Sequence, residues 1–258
     1  MPTIEREGVR IAYDVAGDGP PVLLSHGYTA TGAMWRPQVE SLVAQGYRVI
    51  TWDERGHGRS DYPEDPAQYA ESIAVADMAA VLDAAGAQRA VIGGLSLGGY
   101  LSLAFHLQHP ERTVGLVLMD TGPGFKSDEA RDRWNEYATG MGADFEARGL
   151  DALADRAEVD RSHRDASGLV RAATGLLRQR DARIIESLPT IAVPTLVLVG
   201  EQDTGFLAGA EYMATRIPGA THVVVPDAGH AANLDQPERV NDALLAFLGR
   251  LRSTGDWT

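Results

Sequence analysis

A serine between two glycines, at a point where an apolar strand is expected to meet a helix, is the residue of this chain best suited to chemistry. The segment reads Gly94-Leu95-Ser96-Leu97-Gly98-Gly99 and follows the β-branched, apolar run Ala90-Val91-Ile92. A serine hydroxyl becomes a useful nucleophile when an exposed, strained turn holds it beside a base. Glycines leave room for such a turn, because a Cβ would clash with the neighbouring strand or helix. The pattern predicts that Ser96 is a nucleophile, and a helix N-cap serine is the alternative interpretation.

A nucleophilic serine needs a base and an acid, and candidates for both follow it in the chain. His230 lies in a loop after a predicted strand, and an imidazole can take the serine proton and return it to a leaving group. Asp203 follows the apolar run 195–200 and is suited to accept the imidazole N–H and stabilise the imidazolium. Asp120, at the end of the preceding predicted strand, is a rival for the acid, and Glu201 is a weaker one.

Alternating strand and helix patterns surround these residues. Strands are predicted at 3–7, 10–16, 22–24, 47–52, 89–95, 114–119, 195–200 and 221–225, and helices at 39–45, 69–85, 97–109, 207–216 and 237–251. Such alternation is typical of an α/β fold, here a mostly parallel eight-stranded sheet with helices on both faces. Sites in these sheets lie at the carboxyl ends of the strands, which is where Ser96, Asp203 and Asp120 are expected.

Residues 121–189 break this alternation with Arg-rich and Asp/Glu-rich helical pieces and no convincing buried strand. We therefore expect a core formed by 1–120 and 190–258, with 121–189 as a helical cap insertion over the sheet. Some large side chains of the insertion could line an acyl pocket or pack among themselves: Trp134, Tyr137, Met141, Phe145 and Leu150. The tail 253–258 is expected to be frayed.

Composition excludes several classes of function. The formal net charge of −13 argues against nucleic acid and anionic membranes as partners, since binding phosphates requires a basic patch. The chain has no cysteine, so disulfides and thiolate metal sites are excluded, and its seven histidines lack metal-ligand spacing. No signal peptide and no apolar run of about 20 residues is visible. We expect a cytoplasmic protein, without metal or cofactor, that acts on a small molecule; the sequence leaves the oligomeric state open.

Five landmarks occur in an order that resembles the α/β-hydrolase superfamily: His26-Gly27-Tyr28, 53–60, 94–99, Gly200-Glu201-Gln202-Asp203 and Gly229-His230. The chain is most similar to the cofactor-free serine esterase and lactonase branch, which includes the 3-oxoadipate enol-lactonases. The resemblance implies a triad of Ser96, Asp203 and His230. It also implies an oxyanion hole made by the backbone N–H groups of Tyr28 and Leu97.

The resemblance narrows the reaction as well. Haloalkane dehalogenases and epoxide hydrolases of this superfamily have an aspartate at the position of Ser96. Carbon–carbon hydrolases usually have an aromatic residue where this chain has Ala231, and the enoate synthase of menaquinone biosynthesis usually has Arg at the position of Tyr100. Hydrolysis of an ester or lactone through an acyl-Ser96 intermediate is the resulting prediction. Carbon–carbon hydrolysis, perhydrolysis, or a small-molecule receptor with little turnover are the alternatives.

Overall fold

A single sheet of eight strands forms the centre of the computed structural model, which describes residues 2–155, 162–253, 255 and 257. The strands are β1 (Thr3–Arg6), β2 (Val9–Ala16), β3 (Pro21–Ser25), β4 (Arg48–Trp52), β5 (Ala90–Leu95), β6 (Thr113–Met119), β7 (Thr195–Gly200) and β8 (Thr221–Val225). Their order across the sheet is β1-β2-β4-β3-β5-β6-β7-β8. β1 and β2 pair antiparallel and the strands from β3 to β8 run parallel, which confirms the predicted fold class.

The central strands are buried on both faces. Every residue of β5, β6 and β7 is buried, and their sequences are continuous apolar runs broken by glycine and threonine. Continuous runs are typical of parallel strands that helices cover on both sides. Ser96 and Asp120 follow two of these strands directly, so the sheet brings both residues to its carboxyl edge.

Helices cover both faces of the sheet. In chain order they are α1 (Arg36–Ala44), α2 (Glu71–Ala84), α3 (Leu97–Gln108), α4 (Asp128–Arg148), α5 (Ser167–Gly175), α6 (Arg183–Ser187), α7 (Leu207–Arg216), α8 (Ala232–Asp235) and α9 (Pro237–Ser253). α1 and α9 pack together on one face, whereas α2, α3 and α7 contribute to the core on the other face. Among the described residues, no helix combines the length and the apolar character that crossing a membrane requires.

Between β6 and β7 the described residues form helices, of which α4 is the longest. α4 begins after Ser127, whose side chain accepts the N–H of Ala130, and it carries Asp128 and Glu129 in its first turn. It ends at Arg148, before Gly149, whose φ of +61° stops the helix. Acidic residues at the start of a helix and a basic residue at its end interact favourably with the helix dipole. The sequence of α4 therefore determines where it begins and ends.

Two glycines, Gly56 and Gly168, allow the helices between β6 and β7 to lie close to the rest of the fold. Gly168, at the start of α5, lies so close to the loop after β4 that a Cβ on it would be 2.2 Å from the carbonyl oxygen of Gly56. The hydroxyl of Tyr28, in the turn after β3, donates a hydrogen bond to the carbonyl of Leu169 at 2.7 Å. These contacts hold α5 beside the carboxyl edge of the sheet.

The loop after β4 is held by its own polar side chains. The buried carboxylate of Asp53 accepts the N–H groups of Gly32 at 2.9 Å and Arg59 at 3.0 Å, and it pairs with the Arg59 guanidinium at 2.7 Å. Arg55 donates to the buried carboxylate of Asp77 in α2 at 2.6 Å. The charged residues of this loop thus serve to fix its shape.

The C-terminal tail corrects one expectation. The side chain of Trp257 is 5% exposed and stacks on Tyr47 with ring centroids 5.6 Å apart. Predicting a frayed tail from its short, polar sequence is therefore wrong at Trp257, because one indole can bury enough apolar area to dock. Residues 254, 256 and 258 lie outside the described part of the chain.

A matched pair of glycine substitutions tests the contact between α5 and the core. Gly168→Ala places a Cβ against the Gly56 backbone and is expected to lower the free energy of unfolding by about 1–3 kcal/mol. Gly140→Ala is the control, since this exposed position in α4 has open space, and alanine is expected to stabilise the helix there by up to about 1 kcal/mol. Urea unfolding measures both; equal stability of the two variants would contradict the close contact.

Candidate active site

Ser96 occupies a sharp turn between β5 and α3, with a φ of +56° and a ψ of −115°. A non-glycine residue rarely adopts this left-handed conformation, so the turn stores strain that its surroundings must hold. A Cβ on Gly94 would lie 2.4 Å from the backbone of Gly98, and one on Gly98 would lie 2.2 Å from the carbonyl of Ser25. The two glycines that flank Ser96 therefore allow β3, β5 and α3 to meet at this turn.

Three side chains form a hydrogen-bonded row at the carboxyl edge of the sheet. Nδ1 of His230 lies 2.8 Å from Oδ2 of Asp203, and Nε2 of His230 lies 2.9 Å from Oγ of Ser96. A carboxylate only accepts hydrogen bonds, so Nδ1 carries the proton and Nε2 accepts the Ser96 hydroxyl. Asp203 is 7% exposed and the His230 ring is 26% exposed. The structure thus brings the three residues expected from the sequence into the order serine, histidine, acid.

The loops that carry the acid and the histidine support each other. Gly200 packs so closely that a Cβ on it would lie 2.2 Å from the carbonyl of Gly229. The N–H of Gln202 donates to the carbonyl of Ala228 at 2.8 Å. The ring of Phe206 stacks on the ring of His230 with centroids 4.8 Å apart. Hydrogen bonds and stacking together limit the positions that the imidazole can take.

Asp120 supports the same two loops through their backbone N–H groups. Its buried carboxylate accepts the N–H of Gly200 at 2.7 Å and the N–H of Ala232 at 3.1 Å. Burial, the dominant cause, raises the pKa of Asp120 to about 8, although both backbone N–H groups and His230 favour its ionised form. Asp120, the rival acid of the sequence analysis, therefore bonds to backbone groups, and Asp203 is the carboxylate that meets the imidazole.

Leu97 and Tyr28, the two residues expected to form an oxyanion hole, come from two elements that pack against each other. Leu97 is the first residue of α3, where helix N–H groups have no intrahelical partner and point out of the helix. Tyr28 lies in the turn after β3. Two residues earlier in the same turn, the carbonyl oxygen of His26 lies so close to Gly98 that a Cβ on Gly98 would contact it. The turn after β3 thus packs against the first turn of α3.

A cavity of about 410 Å³ opens beside Ser96. Its wall is formed largely by apolar and small residues, namely Leu97, Tyr100, Thr121, Gly122, Pro123, Gly124, Phe125, Trp134, Tyr137, Leu177, Gln179, Gly205, Phe206, Ala208 and Gly209. Nine of these fifteen residues come from the segment between β6 and β7. The nucleophile candidate is therefore at the end of a space of the size that small organic molecules occupy.

Two of the five large side chains of 121–189 that were considered as pocket residues line the cavity. These are Trp134 and Tyr137, whereas Met141, Phe145 and Leu150 do not line it. Phe145 is fully buried and packs edge-on against Tyr28 at 6.0 Å, and Met141 packs against the same core. On α4, Trp134 and Tyr137 lie one turn apart, and Met141 and Phe145, further along the helix, pack against the core instead.

Sequence reasoning missed the other wall residues, among them Phe125, Gln179 and Phe206. Phe206 follows Asp203 by three residues, a short spacing within one loop that could have indicated proximity to the acid. Gln179 offers no such signal, because its place depends on how the segment after α5 folds back onto α4.

One buried cluster presents atoms of the kinds that bind metals. Ligand atoms of His26, Glu54 and His57 lie within 4.8 Å of one another. Nδ1 of His26 lies 2.7 Å from the carbonyl of Gly27, and its Nε2 accepts the N–H of Glu54 at 3.0 Å. Burial lowers the pKa of His57 well below its ordinary value, so this ring is neutral. Both nitrogens of His26 are therefore engaged with backbone groups, which leaves neither with a lone pair available to a metal ion.

The buried carboxyl of Asp120 predicts a pH dependence of stability. The unfolded chain ionises this group near its ordinary pKa of 3.8, whereas the folded chain keeps the proton to about pH 8. The folded chain binds more protons in this interval, so its free energy of unfolding falls as the pH rises. Asp120→Asn is expected to flatten this decline between pH 4 and pH 8, measured by urea unfolding at several pH values. Parallel curves for the two proteins would contradict the raised pKa.

Comparison with known proteins shows which family the chain as a whole belongs to. The model of the alpha/beta hydrolase family matches residues 22–243. The 3-oxoadipate enol-lactonase 1 of Acinetobacter baylyi is 28% identical over 94% of this chain and 94% of its own length. A thermophilic esterase from Thermogutta terrifontis is 31% identical with a TM-score of 0.79, over 96% of this chain and 97% of its own. The enol-lactonase from Burkholderia xenovorans LB400 is 25% identical with a TM-score of 0.78, over 96% of this chain and 100% of its own. This chain belongs to the alpha/beta hydrolase family.

Proposed function

We propose that this protein is a serine hydrolase that cleaves a carboxylic ester or lactone of a small molecule through an acyl-Ser96 intermediate. The observation that carries the proposal is the row Ser96, His230 and Asp203, with contacts of 2.9 Å and 2.8 Å, at the end of a cavity. Similarity to an esterase and to two enol-lactonases supports the same reaction class.

In the first half of the reaction, Oγ of Ser96 attacks the carbonyl carbon of the ester while its proton moves to Nε2 of His230. The imidazole then carries a positive charge, which the carboxylate of Asp203 stabilises through Nδ1–H. The tetrahedral intermediate collapses when His230 returns the proton to the leaving alcohol oxygen. The products of this half are the alcohol and the acyl-Ser96 ester; in a lactone the two remain joined.

The negative oxygen of the tetrahedral intermediate needs preorganised donors. We assign this role to the backbone N–H groups of Leu97 and Tyr28, because one begins α3 and the other lies in the turn packed against it. A single donor of this kind contributes about 3–4 kcal/mol to stabilising the transition state. The N-terminal end of α3 adds a favourable dipole at the same place.

In the second half, a water molecule replaces the alcohol. His230 takes a proton from the water as it attacks the acyl carbonyl, and it returns that proton to Oγ of Ser96 when the acid leaves. We also propose that 121–189 acts as a cap, since Trp134, Tyr137 and Leu177 form part of the cavity wall. A cap of this kind determines which acyl or alcohol groups reach Ser96.

Removing the proposed nucleophile tests the function directly. Ser96→Ala is expected to lower kcat for p-nitrophenyl butyrate by about four to six orders of magnitude without loss of fold, because no oxygen remains to form the acyl-enzyme. Ser72→Ala, an exposed serine of α2, is the matched control and is expected to keep wild-type turnover. Steady multiple turnover by wild type distinguishes an enzyme from a small-molecule receptor. Unchanged kcat in Ser96→Ala would contradict the assignment.

The choice between the two buried aspartates gives a second kinetic test. Asp203→Asn is expected to lower kcat about 10⁴-fold, because the amide no longer holds the imidazole in the tautomer that accepts the serine proton. Asp120→Asn is expected to lower kcat by no more than about tenfold, because the amide oxygen keeps one of the two backbone hydrogen bonds to the supporting loops and only the other is lost. Thermal unfolding of both variants serves as the control for folding. A larger loss of kcat in Asp120→Asn than in Asp203→Asn would assign the role of the acid to Asp120, the residue that follows β6.

A further inference from the structure

The turn after β3 contains a strained residue next to Tyr28. Thr29 is buried and has a φ of +117°, a left-handed value that β-branched residues rarely adopt. Such a backbone persists only where its surroundings hold it. Two of the groups that hold this turn come from the segment between β6 and β7, namely the carbonyl of Leu169, which accepts the Tyr28 hydroxyl, and the side chain of His163.

His163, which is buried, connects the turn after β3 to the loop after β4. Its Nε2 lies 3.1 Å from the carbonyl oxygen of Thr29, and the backbone nitrogen of Gly58 lies 3.2 Å from its Nδ1. A carbonyl only accepts hydrogen bonds and a backbone N–H only donates them, so Nε2 carries the proton and Nδ1 is the acceptor. One neutral tautomer of His163 therefore makes both hydrogen bonds.

Neighbouring residues hold the ring of His163 in place. The backbone N–H of Arg164 donates to the hydroxyl of Tyr62 at 3.0 Å, and the Arg164 guanidinium lies 4.2 Å above the Tyr62 ring. The rings of His57 and His163 pack edge to face with centroids 5.6 Å apart. His163 therefore has a fixed position against the core, although it belongs to the segment between β6 and β7.

Hydrogen bonds and peptide planes connect His163 to the backbone N–H of Tyr28. The peptide bonds of the described residues are trans, so the C=O and N–H of one peptide unit point in opposite directions in one plane. The Thr29 carbonyl, which accepts from His163, shares its peptide unit with the N–H of Ala30. That N–H donates at 3.1 Å to the carbonyl of Gly27, which shares its peptide unit with the N–H of Tyr28. The direction of the Tyr28 N–H thus depends on the hydrogen bond from His163.

This row of two peptide units also strengthens the Tyr28 N–H as a donor. In such a row each hydrogen bond polarises the next one. His163 donates at one end of the row, and the Tyr28 N–H is at the other end. Nδ1 of His26 donates to the carbonyl of Gly27 as well, at 2.7 Å, so His163 supplies one part of the alignment and His26 another.

We propose that His163 is a positioning residue for the oxyanion hole. It holds the turn after β3 so that the Tyr28 N–H points to the negative oxygen that forms when Ser96 attacks. This inference rests on the proposed hydrolase function and on the assignment of Tyr28 as an oxyanion donor. The segment between β6 and β7 then contributes to the rate of the reaction as well as to the cavity wall.

Two amide side chains at position 163 separate the two hydrogen bonds of the histidine. In His163→Asn the amide oxygen is as far from Cβ as Nδ1 and accepts the Gly58 N–H, but the side chain is too short to donate to Thr29. In His163→Gln the amide nitrogen is as far from Cβ as Nε2 and donates to Thr29. Both variants lack the ring, so a difference between them reports the hydrogen bond to Thr29 rather than packing.

A trifluoromethyl ketone measures the oxyanion hole. Oγ of Ser96 adds to the carbonyl carbon of 1,1,1-trifluoropentan-2-one, the Ser96 proton moves to His230, and the carbonyl oxygen becomes the oxyanion of a hemiketal. The alcohol 1,1,1-trifluoropentan-2-ol has the same chain and cannot form this adduct. Inhibition constants of both compounds are measured against p-nitrophenyl butyrate. Their ratio, the ketone preference, does not depend on the folded fraction of a variant.

Wild type is expected to bind the ketone at least about 100-fold more tightly than the alcohol. His163→Asn is expected to lower both kcat and the ketone preference about tenfold, a part of the 10²–10³-fold effect of one oxyanion donor. His163→Gln is expected to stay within about threefold of wild type, because the donor to Thr29 is restored. His222→Asn, the same change at an exposed position near the start of β8, is the control and is expected to match wild type.

Thermal unfolding shows whether each variant is folded. A wild-type ketone preference in folded His163→Asn, or an equal loss in both amide variants, would overturn the role of His163. If His163→Asn gives no folded protein, loss of the preference in His163→Gln overturns that role on its own. A wild-type protein that binds ketone and alcohol equally would overturn the oxyanion hole. Absence of p-nitrophenyl butyrate turnover, or turnover retained in Ser96→Ala, would overturn the hydrolase function itself.

Discussion

The left-handed backbone at Ser96 is the constraint on which the rest of this structure depends. With a φ of +56°, the residue turns the chain from β5 into α3 and leaves its hydroxyl at the carboxyl edge of the sheet. The strain persists because neighbours hold the turn on both sides: the N–H of Ser96 donates to the carbonyl of Met119 at 2.9 Å, and its own carbonyl accepts the Thr121 hydroxyl. A relaxed backbone here would move the hydroxyl away from His230.

The end of β6 connects the three chain segments that meet at the site. Met119 and Thr121 hold the backbone of Ser96, and Asp120 between them accepts N–H groups from Gly200 and Ala232. Gly200 precedes the acid loop, and Ala232 follows His230 by two residues. Three consecutive residues at the end of β6 therefore hold the segments that carry Ser96, Asp203 and His230, although 134 residues separate Ser96 from His230.

The cavity combines a wall from the sheet edge with a wall from the segment between β6 and β7. Residues next to Ser96 and Asp203 contribute the end where a bond would be cleaved, and α4 with the segment after α5 contributes the side where a substrate chain would lie. The close contact of Gly168 with Gly56 and the Tyr28 hydrogen bond to Leu169 hold α5 beside this edge. In the proposed function, the reaction type and the selectivity therefore depend on different parts of the chain.

The sequence by itself determined the eight strands, their alternation with helices, and Ser96 and His230 as members of the row, because local apolar patterns and glycine spacing encode strands and turns. Tertiary structure decided which aspartate meets the imidazole, since Asp203 and Asp120 both follow strands and only the loop paths distinguish them. It also decided that Trp134 and Tyr137 face the cavity while Phe145 joins the core, and that Gln179 reaches the wall. These side-chain positions depend on contacts between residues that are distant in the chain, and a local sequence pattern contains no information about such contacts.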